Sequence, residues 1–413
     1  MSMTRRDFVR TAGLAAVGVS FGDRFLRGGV VRAAGERVIV VVNLEGGNDG
    51  VNTVVPMSQY DRYKALRGHL ALNAADVLPL SGVPDLGLNP GLAAFQSLYS
   101  QGKLAIINGV AVPHNAESKF DHSAQQNEYQ TCDIANSSSA SQQLTGWLGR
   151  YLDPYFSGVG VPPAIDLGGG SLMLTGSVCD PLTIHSIADL QVKVSFDSST
   201  RMPAYRNIMA FANADPVADR NRVLRLNALD QSDAIKAATA TYAPLATYSA
   251  DSRFAFSLQQ CAKLIYADLG VRALTVGIGG FDTHNAENKN NYHDNLLQEV
   301  SDGLGAFYAD LDGHGLADRV LILTMSEFGR TAYANGSIGT DHGYSSVAFA
   351  IGGLVNGGVY GQYPSLASNN LVFDGLTDIV TDFRSVYATA LANFVGVDPV
   401  PVLGGTFPLL GYV

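Results

Sequence analysis

The sequence predicts an α/β protein with a mostly parallel central sheet and helices on both of its faces. Three observations carry this. Residues 37–44, 103–112, 271–277 and 319–325 are apolar, β-branched runs without polar alternation, so each reads as a strand buried on both faces. Residues 253–269 and 291–314 have helical spacing, and in the second Leu296, Leu297, Val300, Leu304, Phe307 and Leu311 share one face. Strand 271–277, helix 291–314 and strand 319–325 in succession form a right-handed βαβ unit, whose two strands run parallel.

The chain begins with an address. Arg5 and Arg6 lie in Thr-Arg-Arg-Asp-Phe-Val-Arg, residues 4–10, and an apolar stretch follows over 11–21. Val31-Arg32-Ala33 offers cleavage after Ala33. Residues 1–33 therefore read as a twin-arginine signal peptide, with an apolar core too short to span a membrane. This predicts a twin-arginine translocon as partner during export, and a periplasmic or secreted location. Residues 34–413 then form a single α/β domain, with an inserted or cap region near 133–250.

Composition narrows the partners. The net charge is −10, and the signal segment holds six Arg and two Asp, so the mature chain stands at −14. A surface this acidic does not suit nucleic acid, whose binding leans on Lys and Arg. No later segment reaches the eighteen or so apolar residues of a membrane span. Cys132, Cys179 and Cys261 are far apart and match no zinc-ligand spacing. They read as buried small hydrophobes, with one disulfide open to them in an oxidising compartment.

Each strand runs into a polar segment. The first leads to Glu45-Gly-Gly-Asn48-Asp49-Gly50, where glycines permit a tight turn or close approach to a ligand. Asn48-Asp49-Gly50 is equally plain turn chemistry. Residues 60–67 and 90–101 follow as helices. The second strand stops at Pro113 and delivers His114, Glu117, Ser118, Asp121, His122 and Ser123 ahead of a helix over 124–131. Ser118, Asp121 or Ser123 would serve there as a helix cap or beside a bound anion. Residues 144–152, around Trp147, form a helix; 161–250 carry short strands and turns, then a helical stretch over 212–249. The strand at 271–277 ends in Phe281-Asp282-Thr283-His284, and that at 319–325 in Ser326-Glu327-Phe328-Gly329-Arg330. A loop then brings Asp341-His342-Gly343, a short strand covers 347–351, and a last helix covers 382–394.

In a parallel sheet, strand ends of one kind lie on one side, where ligands bind. Asp, Glu and neutral His gathered there suit a divalent cation such as zinc, calcium, magnesium or manganese. The metal candidates are Asp49, Asp282, His284, Glu327, Asp341 and His342. Ser118, His122 and Arg330 are the catalytic candidates: Ser118 offers a hydroxyl for attack, and Arg330 a guanidinium whose fork fits an anion.

Together the twin-arginine start, Gly46-Gly47-Asn48-Asp49-Gly50 with Asn52 and Pro56, Phe281-Asp282-Thr283-His284, Ser326-Glu327-Phe328-Gly329-Arg330, Gly339-Thr340-Asp341-His342-Gly343 and Thr381-Asp382-Phe383-Arg384 resemble the exported bacterial family called domain of unknown function 1501. The resemblance covers nearly the whole chain and implies a fold similar to the alkaline phosphatase and sulfatase superfamily. By order, Asp282 and His284 resemble that superfamily's Asp/His pair, Glu327 its later acid, and His342 its last His. Phe328 stands where a second ligand of the later pair belongs, and Glu45 or Asp49 takes the place of the first-strand Asp. The implied protein is a metal-assisted hydrolase of phosphate or sulfate esters, small or carbohydrate-linked. The alternative is a non-catalytic exported protein on the same scaffold that binds a carbohydrate, a partner protein or a metal.

Overall fold

A computed structural model describes residues 37–113, 120–134, 145–156, 161–190, 198–368, 370–371 and 377–413. The signal segment and Ser118 lie outside the described residues.

The main sheet uses β1 (Val38–Leu44), β2 (Leu104–Ala111), β3 (Ala164–Leu167), β4 (Leu182–Thr183), β5 (Ala273–Ile278), β6 (Val320–Met325), β7 (Ser346–Gly352), β8 (Gly358–Tyr360) and β9 (Thr381–Asp382). Their order across the sheet is β8-β2-β7-β6-β1-β5-β3-β4, with β9 paired to the end of β2. β1 pairs in parallel with β5 and β6. β7 runs antiparallel to both β2 and β6, which leaves those two pointing the same way. The four strands expected to carry chemistry, β1, β2, β5 and β6, thus end on one side of the sheet.

The unbroken apolar character of β1 has a direct cause. Val38, Val40 and Val42 face one core and Ile39 and Val41 the other. The first core is closed by helix Ala93–Ser100 with Phe95 and Leu98, and by helices Arg253–Ala267 and Tyr292–Gly313 with Phe254, Leu258, Leu304 and Phe307. The second is closed by helix Trp147–Leu152 and helix Phe383–Thr389, where Trp147 stacks on Tyr387 at 4.2 Å between ring centroids. Burying each such side chain is worth about 1.5–3 kcal/mol, so both faces contribute to stability.

Helix boundaries follow local chemistry. Tyr60–Arg67 forms as its spacing predicts. Asp121 caps His122–Thr131 by accepting from Ala124 N–H at 2.8 Å. The region near 133–250 is divided. Its β3 joins the main sheet beside β5, so part of it completes the sheet rather than lying beside it. Asp166 of β3 anchors the following turn, accepting from the N–H groups of Gly168, Gly169 and Gly170. Ser198–Met209 and Pro216–Thr239 are helices. No helix among the described residues is long and apolar enough to cross a membrane. All three cysteines are buried and free.

Leu323 lies at full burial in β6, between β1 and β7. Leu323→Ala should lower unfolding free energy by about 2–5 kcal/mol, read as a fall in urea midpoint with an unchanged slope.

Candidate metal centre

The site begins with a turn that only glycine can make. After β1 the chain passes Glu45 into Gly46 (φ +120°) and Gly47 (φ +81°), both in left-handed backbone space. A Cβ on Gly46 would lie 2.3 Å from the Asp282 nitrogen, and one on Gly47 2.3 Å from the Phe328 ring. The two carbonyls this turn presents are both accepted partners of Arg330: Nε donates to Gly47 O at 2.7 Å, and Nη2 donates to Gly46 O. Arg330 also donates to Thr340 O at 3.1 Å, Phe281 O at 3.0 Å and Asp282 Oδ1 at 2.7 Å. Its side chain has no exposed surface. It therefore ties the ends of β1, β5 and β6 together, where sequence reasoning pictured it reaching for an anion.

Asp282 Oδ1 is the meeting point of three imidazoles. His284 Nε2 lies 3.1 Å from it, His342 Nε2 3.5 Å and His122 Nε2 3.7 Å. His284 Nε2 and His342 Nε2 are themselves 2.8 Å apart. The ligand atoms of His122, Asp282 and His342 all lie within 4.8 Å of one another.

Each ring is held from behind by its Nδ1. That of His342 faces the Phe120 carbonyl at 2.8 Å, that of His122 Glu327 Oε1 at 2.9 Å, and that of His284 Asp341 Oδ1 at 3.4 Å. A carbonyl only accepts, so His342 Nδ1 bears the proton and its Nε2 accepts, and Glu327 favours the same tautomer in His122; His284 has a carboxylate near each ring nitrogen. The three Nε2 atoms face one carboxylate oxygen. Outer acceptors on the far nitrogens of ligating imidazoles are the usual support of a metal.

Electrostatics favours the ligand form of His342 and Asp282. Burial, with Arg330 and the other two rings alongside, lowers the His342 pKa and so favours neutral imidazole, despite the opposing Phe120 bond. Burial alone would raise the Asp282 carboxyl, but Arg330 donating into it, with His284 and His122 nearby, brings it below the ordinary carboxylate value. Glu45 shifts upward through burial, then through the Glu327 and Asp166 charges.

Asp49 belongs to a second, sealed group. It caps the Gly50–Thr53 turn and pairs with Arg67, whose Nη2 donates to Oδ1 at 2.7 Å and whose Nη1 donates to Oδ2. Both side chains are fully buried. Burial would raise Asp49, but Arg67 overrides it and brings the carboxyl down to about 2. Glu287 beside it goes the other way, pushed up to about 8 by burial and then by the Asp49 charge. Burial also lowers His293. The group settles near neutrality: one anion, one cation, a protonated Glu and a neutral His.

Of the residues singled out in the sequence, the structure gathers Asp282, His284, His342 and His122 around one point. Glu327, Asp341 and Arg330 stand behind them, and Asp49 faces Arg67. Ser123 is exposed on the first turn of its helix. Arg67, Glu287 and His293 carried no signal in sequence, since each gains its meaning from distant partners.

A family model described as "Protein of unknown function (DUF1501)" matches residues 123–402. Among solved structures, the chain is similar to the PsFucS1 sulfatase from Pseudoalteromonas sp., with TM-score 0.40 and 12% identity over 98% of this chain and 72% of that one. For the phosphonate monoester hydrolase SpPMH from Silicibacter pomeroyi the values are 0.42, 9%, 91% and 74%. For the lipoteichoic acid synthase LtaP from Listeria monocytogenes they are 0.37, 9%, 92% and 76%. No curated protein matches the chain in sequence.

Two outcomes follow from the sealed group. Arg67→Met strands the Asp49 charge and should cost about 3–5 kcal/mol in urea unfolding, much of it recovered by adding Asp49→Asn. The second concerns pH. A carboxyl raised from 4.5 to about 8 contributes stability that is whole in acid and is lost as pH climbs through that window. Glu287→Gln removes this titration, so its melting temperature should gain on wild type between pH 5 and 8, about the window set by the two values. An offset that stays constant across the window would refute it.

Proposed function

The chain belongs to the DUF1501 family, and we propose that it is an exported, metal-dependent hydrolase of alkaline phosphatase-like class, acting on a phosphate or sulfate ester or a related anionic group. The observation that carries this is the convergence of His122, His284 and His342 Nε2 on Asp282 Oδ1, with every Nδ1 facing an outer acceptor. Tetrahedral bonds of about 2.0–2.1 Å to zinc set ligand atoms about 3.3–3.4 Å apart. Four of the six separations among these atoms, 2.8, 3.1, 3.5 and 3.7 Å, bracket that spacing, and those among His122, Asp282 and His342 are all within 4.8 Å. An imidazole-rich set favours zinc over calcium and magnesium, which prefer oxygen.

His122, Asp282, His284 and His342 would hold a divalent ion, which would supply Lewis acidity toward an ester oxygen and lower the pKa of a water. The chain supplies the rest. Arg330 keeps Asp282 ionised, while Glu327 and Asp341 orient His122 and His284. The Asp282 and His284 side chains are 48% and 41% exposed, so substrate approaches from their side. Phe328 closes the other side, its ring 4.3 Å from His342 and 4.8 Å from His122. Ser118, four residues before His122, is the hydroxyl read as nucleophile in sequence. Twin-arginine export rests on residues 4–10, and the ester class on the motif resemblance. Phe328 in place of a ligand favours a second reading, a non-catalytic metal-dependent binding protein.

Elemental analysis of the purified exported protein should find one zinc-class ion per chain. Turnover of a panel of phosphate and sulfate esters should vanish with chelator and return with zinc. Metal without turnover selects the second reading, and absence of both overturns the proposal. Glu327→Gln, which loosens His122 from behind, should weaken zinc binding about 10–100-fold by competition titration.

A further inference from the structure

Glu287 holds no place in the ligand group, yet it touches both loops that carry it. It is 1% exposed. Its Oε2 accepts from Thr283 Oγ1 and from Thr340 Oγ1, each at 2.9 Å. Thr283 stands between Asp282 and His284, and Thr340 is followed by Asp341 and His342. The other oxygen, Oε1, accepts from Asn52 Nδ2 at 3.3 Å.

The surrounding backbone shows how close the two loops run. Thr340 N–H donates to Thr283 O at 3.1 Å, Ala286 N–H to Ser337 O at 3.0 Å, and Glu287 N–H to Ile338 O at 3.0 Å. A Cβ on Gly339 would lie 2.3 Å from the His284 carbonyl carbon. These backbone bonds bring the loops together, and the shared carboxyl oxygen adds a side-chain tie between the two threonines that adjoin the ligands. An apolar residue at 287 would strand two hydroxyls and an amide in the interior, at the cost of their desolvation.

We propose that Glu287 is the positioning residue of the centre: one carboxyl oxygen, shared by the Thr283 and Thr340 hydroxyls, sets the separation at which His284 and His342 present Nε2. That these imidazoles share an ion rests on the metal reading above; their spacing does not.

Two measurements test this on the full chain: zinc titration calorimetry, and the His284 to His342 Nε2 separation in crystals of the metal-free protein. Glu287→Ala should widen the 2.8 Å separation by about 1 Å or more and weaken zinc about tenfold. Glu287→Gln keeps an oxygen for both threonines and should stay close to wild type on both counts. A folded Glu287→Ala protein with unchanged separation and affinity overturns the proposal. Should that variant fail to fold, Thr283→Val with Thr340→Val decides by the same two readouts, since it keeps the carboxyl. If wild type takes up no zinc, the metal reading falls, and the separation alone decides the role of Glu287.

Discussion

Everything at the edge of this sheet hangs on one buried guanidinium. Taking a positive charge out of water is costly, and the cost is offset only when its donors are met. Arg330 meets them with the carbonyls of Gly46, Gly47, Phe281 and Thr340 and the carboxylate of Asp282. Lysine could not do this, because its point charge lacks the planar fork that reaches several acceptors at once. The glycines follow as a consequence. Carbonyls from adjacent residues can both turn toward one side chain only on a left-handed backbone, and only without a Cβ against Asp282 and Phe328.

The two arginines divide the polar interior between them. Arg330 faces outward through Asp282, whose second side is open to solvent and to the three imidazoles. Arg67 faces inward to Asp49, in a group with no exposed atom on either partner. Glu287 lies between these systems, next to Asp49 on one side and to the ligand-bearing loops on the other. Mechanical support and electrostatic balance thereby pass through one side chain.

Much of the fold was legible because burial on both faces leaves a clear mark: β1, β2, β5 and β6 are apolar at nearly every buried position, with Asn108, Thr275 and Thr324 as polar exceptions. β3 was not, since four residues between prolines and glycines give no period to detect. At the site, Asp282, His284 and His342 stood out because they closely follow strands or share a short polar loop. Asp49 shows the limit. An Asp in a Gly-rich turn can ligate, cap or pair, and the choice was made by Arg67, eighteen residues on and indistinguishable in sequence from a solvated helix end. His122 stands out in sequence only as a catalytic candidate, and its Nε2 points at the same oxygen as the other rings.

The antiparallel direction of β7 has one more consequence. In an all-parallel sheet, the chain leaving β6 would have to travel to the opposite rim before starting its next strand. Here β7 starts on the rim where β6 stops, and Gly329-Arg330 pairs with His342-Gly343 to close the excursion at its base. The intervening loop has both feet on the same ledge, is held at residues 331–332 and 339–340, and is exposed at its tip, residues 336–338. Doubling the length of such a loop adds only about 0.6 kcal/mol of closure entropy. Growth at that tip would therefore reshape what the rim accommodates while the sheet beneath keeps its register.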